Sequence, residues 1–95
     1  FVFEGFLPTR KGRNKRLNEL IDEKRTMIFY ESPHRILKTL DQFLIIFGPQ
    51  RYIVISREIS KIYEENIRGR IDEVILYFSK GKIKGELVII VSGKK

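Results

Sequence analysis

The spacing of hydrophobic positions changes several times along the chain, and each change marks an element. Phe1 to Phe6, F-V-F-E-G-F, reads as a strand ended by Gly5 and Pro8. From about Arg13 to Glu23 the apolar positions Leu17, Leu20 and Ile21 fall at i, i+3 and i+4, which predicts one buried helix face. Thr26 to Glu31 predicts a second strand. Pro33 to Phe47 predicts a longer helix, because Ile36, Leu37, Leu40, Phe43, Leu44 and Phe47 keep the helical interval. Gly48 and Pro49 stop it, the glycine by supplying a left-handed cap and the proline because it cannot continue the ladder. Arg51 to Arg57 holds Y-I-V-I-S, a third strand, and Ile62 to Ile67 reads as a short extended segment with weak alternation. Asp72 to Ser79 predicts a helix, with Ile71, Val74, Ile75 and Phe78 at helical spacing, and Lys80 to Gly85 a turn. Leu87 to Val91, L-V-I-I-V, is apolar at every position, which predicts an interior strand covered on both faces.

The resulting order is β-α-β-α-β-β-α-β. Strand-helix-strand units favour right-handed parallel crossovers, so the expected fold is one α/β domain over 1–95: a mixed sheet with parallel strands and helices packed on it. Composition agrees. A hydrophobic fraction of 42% with 12% aromatics is that of a folded chain rather than a disordered one. The sequence has no cysteine, which excludes disulfides and thiolate metal sites, and no apolar run reaches the roughly 18 residues that span a bilayer. A cytoplasmic protein without a membrane partner is expected. Phe1 stands where an initiator Met would be and Met27 is the sole methionine, so the chain reads as a fragment of a longer protein.

Charge sharpens the picture locally. The net charge is +7, and Arg10, Lys11, Arg13, Lys15 and Arg16 fall together with no acid among them, before Glu19, Asp22 and Glu23. Such a cluster attracts polyanions, and it is also what a solvated loop and helix start look like.

Two polar corners carry the candidate chemistry. At Glu31-Ser32-Pro33-His34-Arg35 a strand runs into a helix. Capping explains part of it: Ser32 is a favoured N-cap, Pro33 suits the first helical position, and Glu31 complements the positive end of the helix dipole. His34 and Arg35 are not explained in this way, because a cation is unfavourable in a first helical turn. A single His without Cys or a nucleophile-base pair argues against metal and triad chemistry, so no metal ligand and no catalytic residue is assigned. A ligand pocket at the carboxyl end of a strand is the other account. Arg57-Glu58-Ile59-Ser60-Lys61 repeats the situation after the third strand, either as a charged loop with internal ion pairs or as the second wall of one cleft. The cleft requires that the second and third strands be parallel.

Five blocks in order, F-V-F-E-G-F-L-P (1–8), T-M-I-F-Y-E-S-P-H-R (26–35), R-E-I-S-K (57–61), E-E-N-I-R-G (64–69) and K-G-E-L-V-I-I-V (84–91), resemble the bacterial small-subunit ribosomal RNA methyltransferase I family of the tetrapyrrole methylase superfamily. The resemblance covers the C-terminal domain of a two-domain enzyme and leaves out an N-terminal domain with glycine-containing cofactor loops. It implies a five-stranded mixed sheet whose first three strands are parallel and whose last lies in the middle. It also implies methylation of a cytidine ribose 2′-hydroxyl of small-subunit rRNA, with S-adenosylmethionine held in the cleft between domains. By position, cofactor contacts fall on Tyr30, Glu31 and Ser32, and on Glu58, Ile59 and Ser60; Glu31 or Glu58 would take a ribose hydroxyl or offset the sulfonium. The resemblance assigns RNA contacts to Arg10, Lys11, Arg13, Lys15 and Arg16, with His34 and Arg35 beside them. The implied partners are rRNA or the ribosomal subunit, the N-terminal domain and a second copy. A methylase of tetrapyrrole or corrin macrocycles and a non-catalytic RNA-binding module are the rival readings, and this chain alone is expected to be inactive.

Overall fold

The computed structural model describes residues 1–60, 63–81 and 83–95, with side chains throughout these except at 58–60 and 63. The elements are β1 (Val2–Phe6), α1 (Arg13–Leu20), β2 (Met27–Glu31), α2 (Ile36–Phe47), β3 (Tyr52–Ser60), β4 (Tyr63–Arg70), α3 (Ile71–Phe78) and β5 (Leu87–Val91). They form a five-stranded sheet in the order β1-β2-β5-β3-β4. β1 and β2 pair in parallel, β5 runs antiparallel to both β2 and β3, and β4 is antiparallel to β3. The expected mixed sheet is therefore present, with its last strand in the middle and β1, β2 and β3 pointing the same way.

Alternation along each strand separates the two faces. Met27 and Phe29 of β2, Ile53 and Ile55 of β3, and Leu87, Ile89 and Val91 of β5 point to one side. There they join Leu17 and Leu20 of α1, Ile36, Leu40, Phe43 and Phe47 of α2, and Ile71, Val74 and Phe78 of α3 in one core. Phe43 packs between Phe29 and Phe47, with ring centroids 4.9 and 5.3 Å away. The other face carries no helix. On it Phe3, Ile28, Ile90, Val54 and Arg68 form one cross-strand row, and Phe6, Tyr30, Val88, Ser56 and Asn66 the next. Phe3 and Phe6 are 57% and 59% exposed, and Val88 and Ile90 are only half-buried. The run L-V-I-I-V thus occupies the centre of the sheet as expected, but it is covered on one side. An all-apolar strand reports a position away from water's edge, and it does not report what lies on each face.

Three boundaries differ from the sequence pattern. α2 begins at Ile36, not Pro33; residues 33–35 form a turn in which the Arg35 amide donates to the Ser32 carbonyl at 3.1 Å. Ser32 therefore does not cap the helix, and His34 and Arg35 precede the first turn instead of lying in it. α1 ends at Leu20, and its start follows Gly12, whose φ of 84° turns the loop into the helix. β4 is a full strand, although among its described side chains only the hydrophobic Ile67 packs against the core. Edge strands are commonly charged on the outside, which hides their alternation; Ile62, at the start of the expected segment, lies outside the described residues.

After β5 the chain crosses the connection between α1 and β2. The Ser92 amide donates to the Tyr52 carbonyl at 3.0 Å and the Lys94 amide to the Glu23 carbonyl at 2.7 Å. Between them Gly93 lies so close to the backbone that a Cβ there would sit 1.9 Å from the Lys24 carbonyl oxygen.

Candidate functional site at the carboxyl ends of β2 and β3

Register decides whether the two polar corners meet. Glu31 of β2 and Arg57 of β3 are both paired with Leu87 of the intervening β5. The two strands are parallel, Glu31 and Arg57 are level, and two strand spacings, about 10 Å, separate them; β3 runs on past that level to Ser60. The loop after β1, which holds Arg10 and Lys11, leaves from the same end because β1 and β2 are parallel. Both corners and the basic loop thus share one rim of the sheet. Open α/β sheets place their ligands at such a rim.

Glu31 turns inward on the helix side and is 5% exposed. Its Oε1 accepts from the Ser32 amide at 2.8 Å, and its Oε2 accepts from the Thr39 hydroxyl of α2 at 2.6 Å. Arg13 closes the network. Its Nη2 donates to Thr39 Oγ1 at 2.8 Å, its Nε to Gln42 Oε1 at 2.8 Å, and its Nη1 to the Pro8 carbonyl at 2.9 Å. Burial lowers the Arg13 pKa from its ordinary value, the Glu31 charge raises it, and Arg35 lowers it. A buried charge needs such partners, because removing one leaves the other uncompensated. The network ties the loop after β1 to the end of β2 and to α2.

Two assignments change as a result. Arg13, expected among the phosphate contacts, is buried with its guanidinium spent on interior acceptors, so it shapes the rim without reaching solvent. The Glu31 carboxylate is likewise occupied by Ser32 and Thr39, which leaves the backbone at this corner, and not that carboxylate, to meet a ligand. The rest of the basic cluster divides. Arg16 binds Glu4 through Nε at 2.8 Å and through Nη2, and reaches Glu19 with Nη1 at 2.9 Å; the hydrogen bond to Glu4 foremost raises its pKa above the ordinary value. Arg10, Lys11 and Lys15 are exposed. Arg35 is half-buried and donates to the Thr9 carbonyl at 3.2 Å, while His34 is exposed beside it. Tyr30 points the opposite way from Glu31, onto the open face, where its ring meets Phe3 and Phe6 edge-on at 5.3 and 5.5 Å. Ser32 is half-buried.

At the second corner, Glu58, Ile59 and Ser60 are the last residues of β3, and their side chains lie outside the described residues. Arg57, named in this corner but not among the implied cofactor contacts, is 3.1 Å from Glu65 of β4 through Nη2. Tyr77 of α3 donates to the same Glu65 oxygen at 3.2 Å, and that bond raises the pKa of the phenol. The sequence signal was the odd parity of Arg57: it continues the buried positions Ile53 and Ile55, where a cation is unexpected. Among the described residues no group of three or more His, Cys, Asp or Glu is placed to hold a metal ion, and no helix is long and apolar enough to cross a membrane.

No protein-family model matches the chain. It is 44% identical over 95 residues, all of its length, to the ribosomal RNA small subunit methyltransferase I of Thermotoga maritima, of which it covers 42%. Proteins of the same name from Halalkalibacterium halodurans and Escherichia coli O157:H7 are 47% and 40% identical, and the chain covers 32% and 34% of them. The chain thus spans between 32% and 42% of the length of these relatives. Among solved structures, a cobalamin biosynthetic enzyme, cobalt precorrin-4 methyltransferase, matches 96% of the chain with a TM-score of 0.67 at 14% identity, over 39% of its own length. A uroporphyrin-III C-methyl transferase from Thermus thermophilus, complexed with S-adenosyl homocysteine, matches 95% of the chain at 0.63 and 15%, over 41% of its own length. The chain is homologous from end to end to one portion of the small-subunit rRNA methyltransferase I proteins, and its fold is that found in tetrapyrrole methyltransferases.

Proposed function

We propose that this chain is the C-terminal domain of an S-adenosylmethionine-dependent methyltransferase that modifies a cytidine ribose 2′-hydroxyl of small-subunit rRNA. The observation that carries this reading is the shared register of Glu31 and Arg57 on Leu87, which brings both corners to one rim. The relatives are named for methylation of small-subunit rRNA, and the Thermus thermophilus enzyme of the same fold is complexed with S-adenosyl homocysteine.

In this reading the rim forms one wall of the cofactor cleft and the N-terminal domain forms the other. Tyr30, Glu31 and Ser32, with Glu58, Ile59 and Ser60, line the first wall; Glu31 fixes the backbone there through the Ser32 amide. The sulfonium of the cofactor supplies the methyl group, and the protein supplies binding and orientation. A ribose hydroxyl is a poor nucleophile at neutral pH, so alignment with the methyl carbon carries much of the rate. Arg10, Lys11 and Lys15, exposed at and beside the rim with His34 and Arg35, hold RNA phosphates, which positions the strand without reading its sequence. The uncovered apolar face of the sheet fits a chain completed by further protein, the N-terminal domain or a second copy in a cytoplasmic homodimer.

The test is methyl transfer from labelled S-adenosylmethionine by the protein that carries this domain together with the N-terminal half. Small-subunit particles and a uroporphyrin-type macrocycle compete as acceptors. Label recovered in 2′-O-methylcytidine after nuclease digestion is the expected result. Label in the macrocycle alone would identify a tetrapyrrole methylase, and RNA binding without any transfer would identify a non-catalytic module.

A further inference from the structure

On the helix side of the sheet, α1 and α2 leave a groove between them. Both helices start from the rim, after the carboxyl ends of β1 and β2, and run away from it. The bond from Arg13 Nε to Gln42 Oε1 ties the first turn of α1 to the second turn of α2. Beside that tie lies a groove of about 400 Å³, lined by Asn14, Leu17, Asn18, Gln42, Ile45 and Ile46. Leu17 is buried, Ile46 half-buried and Ile45 83% exposed, so aliphatic surface runs from the core out to water.

Three carboxamides border this aliphatic bed. Asn14 and Asn18 are exposed and lie one helical turn apart on the same side of α1, about 5–6 Å between Cβ atoms. The Gln42 oxygen is taken by Arg13, which turns the Gln42 amide N–H groups toward any ligand as donors. None of the lining residues is charged, so an ion finds no counter-charge there, and a purely apolar partner would strip water from three amides without replacing its hydrogen bonds. A flat group with an apolar face and a hydrogen-bonding edge satisfies both parts, and an unpaired nucleobase is such a group. Asn and Gln are the side chains that pair with base edges through donor and acceptor together. The surrounding charge fits a polyanion. Lys11, Lys15 and Lys38 are exposed toward the rim end of the helices, Lys38 one turn before Gln42. Of the nearby acids, Glu19 and Asp22 are held by Arg16 and Lys94 at 2.9 and 2.6 Å, and Asp41 is exposed.

We propose that the α1–α2 groove is a nucleobase subsite, which takes one unpaired base of the RNA strand whose phosphates lie on Arg10, Lys11 and Lys15. It rests on the RNA reading of the function above, and it adds the contact with a base edge that phosphate contacts do not supply.

The test compares a short single-stranded RNA with an abasic strand of the same length and phosphate number. Fluorescence anisotropy reads the affinity of each, at fixed salt, for the protein that carries this domain together with the N-terminal half. The variant is Asn14→Ala with Asn18→Ala, both at exposed positions of a helix that alanine favours; Gln42 is left intact because it also holds Arg13. The wild type is expected to bind RNA about tenfold or more tightly than the abasic strand, as the loss of base contacts implies. Removal of the two amides is expected to weaken RNA binding about fivefold or more and abasic binding by less than about twofold. RNA affinity unchanged in the variant overturns the subsite and leaves the RNA reading standing. An equal loss on both strands assigns the amides to the backbone and overturns the base contact. Equal wild-type affinity for the two strands also overturns it, since no base is then read. No binding of either strand by the wild type overturns the RNA reading itself.

Discussion

At the scale of residues, the rim depends on one buried hydroxyl. Thr39 accepts from Arg13 and donates to Glu31, so Thr39→Val keeps the volume and removes both bonds. Two charged groups then lose a partner in a dry environment, and the expected cost is about 3 kcal/mol, read as a lower urea midpoint at unchanged slope. A surface pair gives the pH response. Glu23 accepts from the Arg25 side chain at 2.9 Å and from its amide at 3.2 Å, which lowers its pKa from 4.5 to about 2. The folded value lies below the unfolded one, so this contribution to stability is complete above about pH 4.5 and is lost as pH falls toward 2. NMR titration should place the Glu23 midpoint near 2, and Arg25→Ala should return it toward 4.5. The basic run illustrates how far residue type alone carries. Five cations within seven positions read alike, yet one is buried, one is held by two carboxylates, and three reach solvent. The choice was made by Thr39, Gln42 and Glu4, which lie far from that run in sequence or across a strand from it.

At the scale of elements, helical and strand periods located all eight, and the misses fell at their ends. The start of α2 moved from Pro33 to Ile36 because the Glu31 side chain satisfies the Ser32 amide and residues 32–35 close a turn of their own. Local capping chemistry was a sound reading of Ser32-Pro33, and a buried carboxylate one residue earlier outcompeted it. β4 was faint because an edge strand with one core side chain among its described residues shows weak apolar alternation. The C-terminal segment shows what an element boundary can conceal. Gly93 has no positive φ to account for it, yet its missing side chain lets residues 92–94 cross the backbone of Lys24. Gly93→Ala would force that crossing apart, at an expected 1–3 kcal/mol for overpacking. Loss of protection at the Lys94 amide in hydrogen exchange, with a lower melting temperature, is the measurement that checks it. Retained protection would show that the crossing relaxes at no cost.

At the scale of the whole molecule, one sheet has its helices on one side and its chemistry at one end. If Arg10 and Lys11 hold phosphates, the double change to Ala lowers the salt dependence of RNA binding by about 0.7 per lost contact in log K against log salt, or about 1.4 in all. Fluorescence anisotropy across a salt series reads that slope. Arg13→Ala separates the two roles of the basic run. Its main effect should be a drop in stability, since it withdraws a guanidinium from Gln42, Thr39 and the Pro8 carbonyl. An unchanged slope for Arg10→Ala with Lys11→Ala would move the RNA surface elsewhere. The open face is the other feature of this scale. Phe3, Phe6 and Tyr30 make an aromatic cluster over a half-covered row of Ile28, Ile90, Val88 and Val54.

The sequence by itself determined the class of fold, the position of each element, the central place of β5 and the two polar corners, because period and apolar content are local properties written residue by residue. The tertiary structure alone decided that the corners share a rim, that Arg13 and Glu31 face inward, that Arg57 pairs with Glu65 of the edge strand, and that one face of the sheet is bare. Those outcomes depend on strand register and on which side chains from distant elements arrive at the same few ångströms, and neither is encoded in any short window of the chain.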